Sequence, residues 1–366
     1  MKKLGISLYP QKASLEQNLT YLENAAKYGF SRLFVALLGA ELNREGIRRD
    51  YGPILKIAKE LGFEVSCDVN GDIIKAVCGE GFFGNFDLTF FNELGVDIIR
   101  LDMGMSEMEE AFFIRNKYGI KVELNMSMEI DHVAGVLAMG APKERVLGCH
   151  NYYPHNYTGL SLDYFNRCTA LWTKHNLRTA AFISTQSDEH FGPWPVCDGL
   201  PTLEMHRNLP ITTQLKHYVG LGTIDDVLIG DAFASVEELE ALSKVDKHVV
   251  SLDVELVDGV EDKIKNLLRM PLSRRPDTND YIIRSIEGRL FLRKEDIQPF
   301  NTVDIKRGDI LIENNLYGQY KGEIQVALQD MKNSGRTNVV GHVKEYEVFL
   351  IDTIRAGQQF TLNINK

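Results

Sequence analysis

The sequence predicts an α/β fold: a TIM-type (β/α)8 barrel followed by a mostly β second domain. Three observations carry this. Short apolar runs recur at near-regular spacing through the first two-thirds of the chain. Amphipathic helical stretches fill most of the gaps between them. Past Leu242 the cadence stops, and strand-like runs punctuated by glycine take over. Alternating β and α signals a parallel sheet, and eight units are enough to close a barrel.

The candidate strands are Leu4–Tyr9, Arg32–Leu38, Glu64–Val69, Ile98–Met103, Lys121–Met126, Arg145–Tyr152, Arg178–Ser184 and Asp226–Asp231. Between the first two, Leu15, Leu19, Leu22 and Ala25 recur three or four apart, which is one helical face. Ser14 and Gln17 have capping-box spacing for that helix. Tyr51–Glu60 and Phe90–Leu94 supply further helices, stopped by Gly62 and Gly95. KELGFEV, NELGVDI, NKYGIKV and KHNLRTA share one form: helix end, turn residue, buried strand. The later runs HVVSLDVELV, YIIRS, RLFLRK, DILIEN, EIQVAL, VVGHVK and EVFLIDTI read as strands, with Gly288, Gly308, Gly318, Gly335 and Gly357 as turns. The expected domains are 1–243 and 250–366.

Composition bounds the function. At 366 residues, 44% hydrophobic and 25% charged, the chain is an ordinary globular protein. Its net charge of -10 argues against nucleic-acid partners. Five cysteines without CxxC spacing argue against a disulfide framework. No apolar core of signal-peptide length follows the first residues, and no run has membrane-span length. The expectation is a cytoplasmic protein that engages no membrane. A homodimer is left open.

A barrel of this kind collects its chemistry where strands end. Asp68 and Asp102 each close an apolar run, and two carboxylates across a groove are what glycoside hydrolysis needs. A strand-end Asp can also simply accept loop hydrogen bonds. Glu123 and Asn125 share one strand face, Glu123 reading as a polar barrel layer and Asn125 as a hydroxyl or acetamido ligand. The segment 149–161 gathers His150, Asn151, Tyr153, His155, Tyr157 and Thr158. Aromatic faces there suit sugar rings, and His or Asn suits hydroxyl or phosphate oxygens. Segment 190–207 carries Asp198, Glu204, His206 and Arg207. Glu204 reads either as a helix-start carboxylate or as a further acid. Asp231 follows Gly230, a residue that permits close ligand approach, and Tyr9 ends the first strand. Arg274 and Arg275 are the candidates for a phosphate. No metal motif accompanies His150 and His155, and no P-loop or dinucleotide fingerprint is present, so no metal and no cofactor are expected.

SLYP (7–10), CDVN (67–70), IIRLDMG (98–104), VELNMS (122–127), CHNYYPHNYTGLS (149–161), TAAFIS (179–184), GPWPVCDGLPTLEMHR (192–207) and VLIGDAF (227–233) together resemble the 6-phospho-N-acetylmuramidases, glycoside hydrolase family 170. PLSRRPDTNDY (271–281) and GDILIENNLYGQYKGEIQVAL (308–328) extend the resemblance over the second domain. It implies a cyclophilin-like β domain behind the barrel. It also implies cleavage of the β-1,4 bond in a phosphorylated amino-sugar disaccharide, N-acetylmuramic acid 6-phosphate–N-acetylglucosamine, during peptidoglycan recycling. Tyr152, Tyr153, Tyr157 and Trp194 suit the two rings. The catalytic candidates are Asp68 and Asp102, then Glu204, with Asp231 behind them. Substrate candidates are Tyr9, Asn125, His150, Asn151, Tyr153, Tyr157, Arg207, Asp231, Arg274 and Arg275. Competing readings are a lyase or etherase on a phosphorylated sugar, a metal-dependent barrel hydrolase, and a non-catalytic carbohydrate-binding protein.

Overall fold

The computed structural model describes residues 2–37, 40–41, 43–79, 86–102 and 104–364. It contains two compact units, one of residues 1–215 and 222–244, the other of residues 216–221 and 245–366.

In the first unit eight parallel strands close a barrel in sequence order. They are β1 (Lys3–Leu8), β2 (Arg32–Ala36), β3 (Glu64–Val69), β4 (Ile98–Leu101), β5 (Lys121–Asn125), β6 (Val146–Cys149), β7 (Arg178–Ile183) and β8 (Asp226–Ile229). Every expected strand is present. Most end one to three residues early, because Tyr9, Asp102, His150 to Tyr152 and Asp231 leave the ladder to build the mouth. Leu38 and Met103 lie outside the described residues. The helix α1 (Leu15–Lys27) begins with the anticipated capping box, Ser14 and Gln17 satisfying each other's backbone N–H groups. The helix expected at Tyr51 starts a full two turns earlier, as α2 (Arg44–Glu60), because the Asn43 side chain caps it. Gly62 and Gly95 take φ of 84° and 77°, the left-handed conformation that stops a helix.

Strand alternation turns an unusual set of residues inward. At the N-terminal end, Glu64 accepts from Lys3 (3.0 Å), Lys121 (2.9 Å) and Arg178 (2.6 Å). Above it Arg32, fully buried, donates to Asp226 (2.5 Å) and Glu123 (3.0 Å). Ser66 adds a bond to Glu123 at 3.2 Å. The polar-layer reading of Glu123 therefore holds. Higher still, Phe34, Cys149, Ala180, Phe182 and Leu228 form an apolar layer beneath the mouth.

The second unit is a mixed seven-stranded sheet. In chain order its strands are β9 (Val250–Leu256), β10 (Leu272–Ser273), β11 (Ile282–Ser285), β12 (Asp309–Glu313), β13 (Ile324–Ala327), β14 (Thr337–Val343) and β15 (Gln359–Asn363). Across the sheet they run β10-β15-β9-β14-β12-β13-β11. Only β9 and β15 pair in parallel. A bond from Arg275 N to Arg284 O (2.9 Å) links the two edges, so the sheet is a nearly closed barrel. Two expected strands are not strands. RLFLRK lies largely in a helix, Glu287–Leu292, which holds Gly288. EVFLIDTI forms 3-10 turns within Glu345–Thr353 that bury Glu347, Leu350 and Ile351 three or four apart. Short apolar runs fit either period, and packing decides between them.

Replacing Arg32 with Met leaves Glu123 and Asp226 without their central cation in a dry interior. Loss of one partner from a buried network costs about 3–5 kcal/mol. Urea unfolding of Arg32→Met should show a fall of that order, and a second substitution, Glu123→Gln, should return part of it.

Candidate active site

The C-terminal mouth of the barrel is organised by one guanidinium. Arg100, two residues before Asp102 on the inward face of β4, is 3% exposed. Its Nη1 donates to Asp68 at 2.6 Å and to Asp102 at 3.4 Å. Its Nη2 donates to the side-chain oxygen of Asn151. A single nitrogen at 2.6 Å from one carboxylate oxygen and 3.4 Å from the other holds those oxygens within 6.0 Å of each other. The two acids thus meet at the mouth but differ in setting. Asp68 is 2% exposed, and the Asp102 side chain is 40% exposed. Burial pushes the Asp68 carboxyl up to about 6; Arg100 pulls against that, and the Asp102 charge adds to it. A buried acid titrating near neutrality beside a solvent-facing one is an arrangement suited to proton transfer.

Around the acids stands an aromatic wall. Phe34, Tyr152 and Phe182 meet edge to face, with ring centres 5.0–6.1 Å apart. Tyr9 is 3% exposed and donates to Gly230 O at 2.5 Å. Ser127 ties the next strand ends together. Its N–H donates to Asn125 Oδ1 (2.8 Å), and its Oγ accepts from Asn151 N (2.8 Å).

Other expected site residues have structural employment. His150 is fully buried, stacked on Phe165 at 4.4 Å, with its ring nitrogens on Ser127 Oγ (3.1 Å) and Thr169 Oγ1 (2.9 Å). Burial lowers its pKa to about 3, so the imidazole is neutral and fixes the barrel wall. Glu204 pairs with Arg207 at 2.6 Å and accepts from Tyr157 N (2.8 Å) and Gly159 N (2.7 Å). Arg207 and those N–H groups hold it down to about 2, so it stays ionised and clamps the loop after β6 to the loop after β7. Arg207 completes the clamp, donating to Tyr153 O, Asp198 O and Gly199 O at 3.0–3.1 Å. Tyr153 contributes that carbonyl and is half-buried; Tyr157 stands 92% exposed at φ 67°. The close approach at Gly230 is made by the chain itself: a Cβ there would lie 2.5 Å from Leu200 O.

Asp231 is fully buried, accepting from Ser184 Oγ (2.6 Å) and Thr185 N (2.9 Å). Ligand atoms of Asp231, His190 and Cys197 lie within 4.8 Å of one another, a spacing that could hold a metal ion. Both imidazole nitrogens of His190 already face backbone carbonyls, Ser187 O at 2.5 Å and Cys197 O at 3.2 Å. In the second unit, Arg275 is paired with Asp277 at 2.6 Å, and Arg274 donates to Ile354 O at 2.6 Å.

Arg100 and Ser127 escaped the reading of the sequence. The signal for Arg100 was parity: a cation at an inward position two residues before a mouth acid needs a buried anion beside it. Arg207→Ala should lower both thermal stability and activity, because three carbonyls and Glu204 lose their donor. Tyr157→Ala should leave the melting temperature unchanged, as its ring touches mainly solvent. Calorimetry on both variants separates clamp from surface.

The family model described as 6-phospho-N-acetylmuramidase, N-terminal, matches residues 4–244, and its C-terminal counterpart matches residues 250–363. Among solved structures, an uncharacterized B. cereus protein is 41% identical over 99% of both chains, with a TM-score of 0.90. A conserved protein of unknown function from Enterococcus faecalis is 25% identical over 99% of this chain and 96% of its own, with a TM-score of 0.71. No curated protein matches the sequence. The chain belongs to the 6-phospho-N-acetylmuramidase family and is a glycosidase of the muramidase type.

Proposed function

We propose that this enzyme cleaves the β-1,4 bond between N-acetylmuramic acid 6-phosphate and N-acetylglucosamine, in the cytoplasm, as a step in recycling cell-wall sugars. Residues 1–243 are the catalytic domain in this reading. The family name supports the phosphorylated muramic substrate. The observation that carries the chemistry is the Asp68–Arg100–Asp102 cluster. Five cysteines without a disulfide, four of them buried, suit a reducing compartment.

Asp68 is the general acid. Its Oδ1 accepts from Arg100, so Oδ2 carries the proton to the glycosidic oxygen. As the bond from that oxygen to C1 breaks, charge develops on the sugar ring, and Asp102 faces it. Carboxyl groups about 5–5.5 Å apart act by double displacement, whereas inversion needs about 6.5–9.5 Å to admit a water. Oxygens within 6.0 Å of each other favour retention. Asp102 attacks C1 itself or steadies the 2-acetamido group that does; both routes retain configuration. Water then attacks C1 and gives its proton to Asp68, restoring the acid. Tyr9, Tyr152 and Tyr153 shape the ring site, and Asn125 and Asn151 receive polar substituents.

Incubation with the disaccharide should release intact N-acetylmuramic acid 6-phosphate, first as the β-anomer by NMR. Products short of one water would move the reading to a lyase. Asp68→Asn and Asp102→Asn should each lower kcat by at least about a hundredfold, the scale of lost acid–base catalysis. Because the acid works protonated, kcat/KM should fall as pH rises through about 6.

A further inference from the structure

The second unit carries a cavity for which the barrel chemistry has no use. Its sheet has two faces. Ile283, Ile310, Ile312, Val326 and Val340 point into the core of the unit. One residue over, register pairs Arg284 with Gln325, Gln325 with Leu311, and Glu313 with Thr337. By two-residue alternation these share the opposite face. Segments 279–281, 317–320 and 331–334 rise around that face and make a cavity of about 480 Å3. That size is typical of a small-molecule site.

Its lining is built, not merely left over. The floor is polar but shielded: Glu323 is 1% exposed, Glu313 4% and Gln325 7%. Arg284 neutralises Glu323 at 2.6 Å, and Arg289 adds to it at 3.3 Å. Glu313 accepts from Gln325 Nε2 and Thr337 Oγ1, both at 2.8 Å, and has no cationic partner among the described residues. Burial pushes its carboxyl up to about 7, so it can donate as well as accept near neutral pH. Tyr317 and Tyr320 stand edge to face at 5.9 Å, and Tyr281 is 55% exposed beside them. Ile282, Ile305, Leu311 and Met331 supply an apolar wall.

We propose that this cup is a second carbohydrate site, which takes an uncharged N-acetylated hexosamine. A tyrosine face suits the apolar side of a sugar ring. Planar carboxyl and amide groups suit paired hydroxyls. The Ile/Met wall receives the acetyl methyl. The lining cations Arg284 and Lys332 are already paired, with Glu323 at 2.6 Å and Asp304 at 2.5 Å, so a phosphorylated ring finds no free cation here. The site stands on the geometry of the second unit alone and does not depend on the reading of the barrel.

Met331 provides a local reporter. The full chain with 13C-methyl methionine is titrated with N-acetylglucosamine, the Met331 signal being identified by its loss in Met331→Leu. The signal should move saturably, with a Kd of roughly millimolar order, and much less with glucose. Tyr320→Ala and the more exposed Tyr281→Ala should each weaken the response about two- to tenfold, the loss of one ring contact. An unmoved Met331 signal, or an unchanged response in both variants, overturns the site. A tighter response to N-acetylglucosamine 6-phosphate, or an equal one to N-acetylalanine amide, overturns the ligand class.

Discussion

The guanidinium of Arg32 at the barrel axis is the constraint on which the first unit depends. A cation stripped of water there is stable only because Glu123 and Asp226 meet it from opposite walls. Those carboxylates come from β5 and β8, so three distant strands must arrive in one register. A one-residue slip of any of them would turn its charge outward and strand the others. The apolar packing of a barrel tolerates many substitutions; this ion network fixes which closure forms. Glu64 with its three cations repeats the device one layer below.

The same logic recurs one layer up, at the mouth. Arg100 is again a buried cation among carboxylates, but here the second carboxylate reaches solvent. The structural pair and the proposed acid pair are therefore one motif at two heights. What differs is water: below the apolar layer the carboxylates are buried against cations, and above it the Asp102 side chain reaches solvent. Arg207 and Glu204 bind together the backbone of the loops after β6 and β7.

The architecture was legible because strand ends and helix ends leave local marks: Ser14 with Gln17, Gly62, Gly95, and eight apolar runs closing in polar residues. Asp68 and Asp102 close neighbouring strands, but the register sets Asp68 against Arg100, with Asp102 two residues beyond it. What stayed hidden depends on partners far away in sequence. His150 sits beside Asn151, yet one stacks on Phe165 inside the wall and the other meets Arg100. Glu204 carries the residue type of an acid, and only the nearness of Arg207, Tyr157 and Gly159 makes it a clamp. RLFLRK suits a strand by its letters, and tertiary packing wound it into a helix.

The closed base of the barrel has a further consequence. Glu64, Lys3, Lys121 and Arg178 plug the N-terminal end, and the Arg32 layer seals it again. The interior is a cup and not a tube. Traffic through it is one-way in topology but two-way in direction: whatever enters by the mouth must depart by the mouth. For a glycosidase whose substrate enters at the mouth, both products leave by the opening through which the next substrate must come.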